Sequence, residues 1–316
     1  MAKLSKSREG SLQFWPRKRA AKILHSVNWG QIKGKDKTSS LLGFIAYKVG
    51  MATALVKDNT SDSMTKGKKV YFPVTILETP NMKIFSVRFY RNGIVLKDVI
   101  VSQDKELKKI VRIPKNLKPL DSEIPKDFDD LKLLIYSLAK QTSFKKTPDM
   151  IEIAVHADNK IEYVKSLIGK EISLKDFTHF ELLDVRGLTI GKGLSGPIKR
   201  FGLALKQHKT EKGVRRPGSL GPWHPARVTF RAPQAGQLGF FSRTHYNLKL
   251  ISSGNIAEKD INPSSGFKHY GKIRGYYLIL RGSVQGPSKR QILVTPSFRP
   301  TKSAEKKKFE FQELIA

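Results

Sequence analysis

The chain has 316 residues, which is enough for a buried core and for more than one packing unit. Its 59 Lys and Arg against 27 Asp and Glu give a formal net charge of +32, which predicts a polyanionic partner, most commonly nucleic acid. Because the chain has no cysteine, disulfide bonds, zinc ribbons and iron–sulfur clusters are excluded.

Residues 1–40 have the composition of a basic N-terminal arm. The opening stretch MAKLSKSREGSLQFWPRKRAAK contains Lys and Arg along its length and lacks the apolar core of a secretory signal. Its serines and arginines would also suit a transit peptide. We favour an arm that binds RNA over a transit peptide.

The most apolar stretch follows at 41–56, LLGFIAYKVGMATALV. It has sixteen residues and contains Lys48 and two glycines, so it is shorter and more polar than a membrane span. Two buried strands are the better interpretation, and no membrane partner is expected.

Charge separates the middle of the chain from both flanks. Residues 1–50 hold 11 basic and 2 acidic residues, and 187–316 hold 24 and 6. Between them, 79–175 holds 19 and 13, a ratio closer to that of an ordinary globular surface. This balance predicts an inserted packing unit over 81–175.

The periodicity of the insertion predicts an α+β domain. DFDDLKLLIYSLAKQTSF places Phe128, Leu131, Ile135 and Leu138 on one face of a helix, with Asp127 as its cap. MIEIAVHA alternates in the manner of a strand, and NKIEYVKSLIG returns to a helical spacing.

The flanks of the insertion contain short runs that are typical of strands and are interrupted by Gly and Pro. The runs are KKVYFPVTILETP, FELLDVRGLTIG, YGKIRGYYLILRGSV and RQILVTPSF. The predicted fold class is therefore mainly β with an α+β insertion, in which 41–80 and 176–316 form a β-barrel.

Within the barrel part, residues 203–231 are predicted to form an extended central loop. In 206–225 only Val214, Leu220 and Trp223 are sizeable apolar groups, too few to compensate for ordering the segment. Six Lys and Arg against one Glu in 206–227 favour ordering by phosphate, with Trp223 available for stacking. Two alternatives remain: Trp223 anchors a core, or the basic run is a solvated face.

The sequence matches the motifs of enzymes only weakly. GKGLSG at 191–196 satisfies G-x-G-x-x-G, but Pro197, Gly202 and a basic region follow where a dinucleotide fold needs a helix and then an acidic residue. The same glycines fail the spacing of a phosphate-binding loop and suit a backbone packed against another surface. The seven histidines show no metal-ligand spacing. We therefore expect no catalytic residue, no cofactor, no metal and no small-molecule substrate.

Five blocks carry a resemblance that runs nearly from end to end. They are GSLQFWPRKRA (10–20), GKGLSGPIKRFG (191–202), GSLGPWHPARV (218–228), AGQLGFFSRTHYN (235–247) and GSVQGPSKR (282–290). Because the five blocks occur in the order that is typical of the family, the chain resembles the universal large-subunit ribosomal protein L-three family. The WHPAR motif indicates the archaeal and eukaryotic type, and the length favours the archaeal one.

The resemblance implies a translation-protein-like β-barrel with long basic extensions, no enzymatic activity, and a place in the large ribosomal subunit in the cytoplasm. The implied partners are large-subunit (23S-type) rRNA and neighbouring ribosomal proteins. The implied roles are early subunit assembly and, through the Trp-tipped loop, shaping the rRNA near the peptidyl transferase centre. The candidate rRNA-binding residues are Arg17, Lys18, Arg19, Lys192, Lys199, Arg200, His208, Lys209, Arg215, Arg216, Trp223, His224, Arg227 and Arg243.

Two other functional classes compete with this interpretation. An RNA-modifying enzyme would need a cofactor pocket, which binding of S-adenosylmethionine or a nucleotide would reveal. A free-standing chromatin or RNA chaperone would bind many nucleic acids about equally, whereas an integral ribosomal protein would stay with its subunit at high salt.

Overall fold

The structure is a computed structural model that describes residues 10–11, 13–32, 39–177 and 179–315. Residues 1–9, 12 and 33–38 of the predicted N-terminal arm lie outside this range. The chain divides into two compact units. The first unit consists of Met1–Lys22 and Leu188–Ser242, and the second consists of Ile23–Gly187 and Arg243–Ala316.

The chain is built mainly of strands, as the sequence predicts. In chain order they are β1 (Ser40–Leu41), β2 (Phe44–Asp58), β3 (Lys69–Thr79), β4 (Met82–Arg91), β5 (Ile94–Ile100), β6 (Asp130–Ser137), β7 (Met150–His156), β8 (Leu182–Leu188), β9 (Leu194–Ser195), β10 (Gly236–Gln237), β11 (Ser242–Asn255), β12 (Tyr276–Arg281), β13 (Gln291–Pro296) and β14 (Phe309–Ile315). The α-helices are short: α1 (Leu120–Glu123), α2 (Lys160–Leu167), α3 (Pro197–Phe201) and α4 (Lys302–Glu305).

Six strands pair in a closed circuit. The order of the larger sheet is β13-β8-β11-β12-β3-β2-β14, and β2 also pairs with β13. The first residues of β2 make the closing contact, with Ile45 opposite Leu293, while its later residues pair with β14, with Ala54 opposite Leu314. A circuit of this kind is what the predicted barrel requires.

A second sheet has the order β1-β7-β6-β4-β5 and is antiparallel throughout. One face of this sheet shares a core cluster with the larger sheet, in which Phe44 and Ile45 of β2 join Ile135 of β6 and Ile153 of β7. Phe85 of β4 and Tyr136 of β6 belong to a separate, smaller cluster. The boundaries of an inserted domain at 81–175 stay a prediction.

The helix predicted across 128–138 is wrong, because this segment forms β6. Leu131, Leu133 and Ile135 are buried at alternate positions, and the strand pairs with β4 on one side and with β7 on the other. An apolar pattern that suited a helix was therefore also compatible with a central strand, and long-range pairing decided between them.

Most of the other predicted elements are confirmed. MIEIAVHA forms β7, and NKIEYVKSLIG contains α2, which Asn159 caps by accepting a hydrogen bond from the Glu162 N–H at 3.4 Å. The four flanking runs contain β3, β8, β12 and β13. The stretch 41–56 differs, because it belongs mainly to the single long strand β2, with a register shift between Lys48 and Gly50. No helix in the described part of the chain is long and apolar enough to cross a membrane.

Candidate nucleic-acid interface

Positive charge is concentrated in the first unit. Its 77 residues contain 17 Lys and Arg but only Glu9 and Glu211 as acidic residues. All the predicted rRNA-binding residues except Arg243 belong to this unit. A surface with this imbalance is suited to a polyanion, because its cations would otherwise repel one another.

The base of the predicted loop is a backbone ladder. Residues 189–195 run antiparallel to 236–241: the Lys192 N–H donates to the Leu238 carbonyl at 2.9 Å, and the Leu238 N–H donates to the Gly193 carbonyl at 2.9 Å. β9 pairs with β10 within this ladder. The ladder therefore holds together the two ends of the loop.

The glycines of GKGLSG are not tightly packed. A Cβ atom on Gly191 would make ordinary contact with the Phe240 side chain at 3.6 Å, and no atom lies within 4 Å of a Cβ on Gly193 or Gly196. The predicted close packing against another surface therefore applies at most to Gly191. The helix α3 that follows the glycines begins with Pro197 and has only five residues. GKGLSG is therefore part of the ladder, and not a turn that opens a nucleotide-binding helix.

Arg200 stabilises the ladder with its side chain. Its Nε donates to the Gln237 carbonyl and its Nη1 to the Gln234 carbonyl, both at 3.0 Å. Partial burial lowers the pKa of Arg200. The neighbouring predicted residues Lys192 and Lys199 are exposed. Arg200 thus has a structural role at this site, while the two lysines present their charge to solvent.

Between α3 and β10 the chain forms neither helix nor strand. Its backbone hydrogen bonds close local turns, such as the bond from the Lys206 N–H to the Val214 carbonyl at 3.2 Å. Along it lie exposed members of the predicted set, namely His208, Lys209, Arg215, Arg216, Trp223, His224 and Arg227. Every residue of 221–231 is exposed.

The tip of the loop presents its indole to solvent. Trp223 is 87 % exposed, and Pro222 and the cis-linked Pro225 lie on either side of the Trp223–His224 pair. A pocket of about 410 Å³ is lined by Leu220, Gly221, Pro222, Trp223, Pro225, Ala226, Arg227 and Val228. The alternative in which Trp223 anchors a core is therefore wrong, and the indole is available for stacking.

The N-terminal arm contributes aromatic contacts that the sequence interpretation missed. The Trp15 and Phe230 rings lie 4.9 Å apart, and each is about half exposed. The Arg17 guanidinium lies 4.4 Å over the Phe201 ring and donates through Nη2 to the Ser11 carbonyl at 2.9 Å. The aromatic pair next to a proline in QFWPRKR was the available signal. Lys18 and Arg19 remain exposed beside it.

Arg243 is the predicted residue that lies outside the first unit. Burial lowers its pKa, and its carbonyl accepts a hydrogen bond from Gln285 Nε2 at 3.0 Å. Among the residues that the structure describes, no group of His, Asp and Glu is arranged to hold a metal ion.

The comparisons with known proteins agree with one another. The family model described as Ribosomal protein L3 matches residues 1–110 and 97–314. A protein of Methanocaldococcus jannaschii named large ribosomal subunit protein uL3 is 37 % identical over 315 residues, covering 94 % of this chain and 92 % of that protein. Its namesake in Methanoregula boonei is 38 % identical over 323 residues, covering 95 % and 94 %. The chain therefore belongs to the ribosomal protein L3 family, in its archaeal type, and is a structural protein rather than an enzyme.

Proposed function

We propose that the chain is a structural constituent of the large ribosomal subunit in the cytoplasm and that its first unit binds large-subunit rRNA. The relatives are named as proteins of that subunit. The observation that supports RNA binding is the segment between α3 and β10, which is basic and largely exposed. Among the described residues, its backbone hydrogen bonds join positions no more than eight residues apart. A segment of this kind needs an external partner to order it, and phosphate is the partner that its charge selects.

The cations of the first unit have different roles in this proposal. Arg215 and Arg216 are adjacent, and their planar guanidinium groups suit phosphate oxygens and base edges. Lys192 and Lys199 supply point charges at the base of the loop, and Lys18 and Arg19 supply them on the N-terminal arm. Arg200 acts indirectly, because its guanidinium is bonded to backbone carbonyls.

The tip has a separate role. Trp223 is exposed, and Pro222 and Pro225 lie on either side of the Trp223–His224 pair. We assign it to stacking in, or wedging apart, the rRNA near the peptidyl transferase centre, which is the location that the family resemblance implies for such a loop. The family resemblance also implies that the chain joins the subunit early in assembly, and this is part of the proposal.

Cosedimentation tests the proposal most directly. The tagged chain should stay with large subunits through a high-salt wash, whereas a general RNA chaperone should be removed because non-specific binding is mainly electrostatic. Loss of the wild-type chain from the subunits during this wash would contradict the proposal.

A pair of double variants tests the loop itself. Arg215→Ala with Arg216→Ala should weaken binding to an rRNA fragment and reduce the slope of log K against log salt by about 0.7–0.9 for each phosphate that the loop no longer neutralises. The matched control is Lys108→Ala with Lys109→Ala, which removes the same charge from exposed residues of the second unit. Equal loss of affinity in both double variants would count against a specific role for the loop.

A further inference from the structure

The strand β5 forms an edge of the five-stranded sheet and exposes consecutive apolar residues. β4 is its neighbour, and no other strand of the described chain pairs with it. Ile94 is 73 % exposed, Val95 44 % and Leu96 49 %. An exposed apolar edge strand is a template for association with another polypeptide, and natural proteins usually cover or charge such edges.

These apolar residues belong to an ordered hairpin. Asn92 and Gly93 connect β4 to β5 with φ values of 51° and 75°, which suit a tight two-residue turn. The Asn92 N–H donates to Asp129 Oδ2 at 2.6 Å, and the Asp129 N–H donates to the Tyr90 carbonyl at 2.8 Å. The patch is therefore presented on a fixed strand, and a partner would not have to order it.

Acidic residues are frequent in the segment next to this hairpin, while the hairpin itself exposes one cation, Arg91, opposite Ile94. The segment DSEIPKDFDD at 121–130 contains five acidic residues and one lysine. Ion pairs connect Asp121 to Lys165, Glu123 to Lys97 and Lys118, and Asp130 to Lys160. Asp127 and Asp129 are exposed, and within the described part of the chain neither carboxylate is in an ion pair.

This chemistry disfavours nucleic acid as the occupant. Aliphatic side chains offer no aromatic plane for a base, and the carboxylates at the same end of the sheet repel phosphate. A polypeptide with Lys and Arg complements both features, because its backbone can pair with the free side of β5 and its cations can meet Asp127 and Asp129.

We infer that β5 and the adjacent carboxylates Asp127 and Asp129 dock an extended, Lys- and Arg-rich segment of another protein of the large subunit. The inference rests on the proposed function, because the subunit supplies the partner. It assigns the first unit to RNA and the free edge of the five-stranded sheet to protein.

A photo-crosslinking amino acid, p-benzoylphenylalanine, tests this assignment when it replaces Ile94 in the full chain. The tagged chain is incorporated into large subunits, which are purified and irradiated, and the crosslinked peptides are identified by mass spectrometry. The expected product joins position 94 to a segment of another ribosomal protein in which Lys and Arg outnumber Asp and Glu. Asp127→Lys in the same chain should reduce the yield of this product, whereas the exposed Asp62→Lys, in the turn between β2 and β3, should not.

A crosslink from position 94 to rRNA, to a second copy of the chain or to an acidic segment would overturn the inference. The absence of any protein adduct would do the same, provided that the purified subunits contain the chain. The control is the same crosslinking amino acid at Met64, which is 97 % exposed in the turn between β2 and β3 and is not at a sheet edge. This control position should not give the product expected from position 94. If the chain does not enter large subunits at all, the proposed function fails before the crosslink is measured.

Discussion

Gly239 lies directly against the carbonyl oxygen of Ile190, so that a Cβ atom at this position would collide with it. The φ angle of Gly239 is +71°, a conformation that side-chain-bearing residues rarely adopt. This contact belongs to the ladder that holds the base of the loop, where the Phe240 N–H donates to the same carbonyl. The ladder thus depends on the absence of a single side chain.

Gly239→Ala should therefore separate the two strands of the ladder. The left-handed conformation alone costs about 1–2 kcal/mol, and the collision with a backbone atom adds to it. Gly193→Ala is the matched control, because Gly193 has a φ of +59° but no neighbouring atom within 4 Å of a Cβ. Limited proteolysis of the isolated chain should cut the ladder segments 189–195 and 236–241 faster in Gly239→Ala than in Gly193→Ala. Equal cleavage rates would refute the importance of the contact.

Arg200 and Lys199 are adjacent cations that should contribute differently to stability. Arg200→Ala should leave the carbonyls of Gln234 and Gln237 without their charged donor, at a cost of about 1.5–3 kcal/mol. Lys199→Ala should change stability by less than about 0.5 kcal/mol, because Lys199 is exposed. Hydrogen exchange of the amides in 234–241 measures this difference. Protection that is lost equally in both variants would argue against the structural role of Arg200.

The class of fold could be predicted from sequence because most strands carry β-branched residues bounded by Gly or Pro, as in β3 and β13. The segment of β6 could not, because Leu131 and Ile135 satisfy both a helical and an alternating pattern. Its strand conformation depends on pairing with β4, whose partner residues lie at least forty positions earlier, and on pairing with β7. No local pattern contains that information.

The candidate site was predictable to a similar degree. Charge and the scarcity of apolar residues predicted the exposed loop with Trp223, because both are properties of composition. The role of Arg200 was not predictable, since its carbonyl partners lie more than thirty residues away. The same holds for the contact of Trp15 with Phe230, which joins segments separated by more than two hundred residues.

Two tryptophans provide a paired test of the loop tip. Trp223→Ala should leave thermal unfolding of the chain unchanged, because the indole is 87 % exposed, yet disturb the handling of aminoacyl-tRNA or factors in reconstituted subunits. Trp29→Ala removes an indole that is only 5 % exposed in the core, at a cost of about 3–5 kcal/mol. Unchanged translation by subunits that carry Trp223→Ala would contradict a functional tip.

The turn between β2 and β3 should make the stability of the chain measurably dependent on pH in the acidic range. Asp58 accepts hydrogen bonds from Ser63 Oγ at 2.6 Å, the Thr60 N–H at 2.9 Å and Thr65 Oγ1 at 2.6 Å, which hold the pKa of its carboxyl far below the usual range. Because the folded-state pKa is the lower one, this stabilisation is present above the unfolded pKa of about 3.9 and is lost as the pH falls below it.

Asp58→Asn should thus be less stable than the wild type at pH 7, and its melting temperature should fall less steeply on acidification below about pH 4. Asp62→Asn in the same turn is the control, since Asp62 is exposed. Thermal unfolding at a series of pH values measures both effects. If the wild type and Asp58→Asn lose melting temperature in parallel as the pH falls, the hydrogen bonds to Asp58 do not stabilise the fold in the way that their geometry requires.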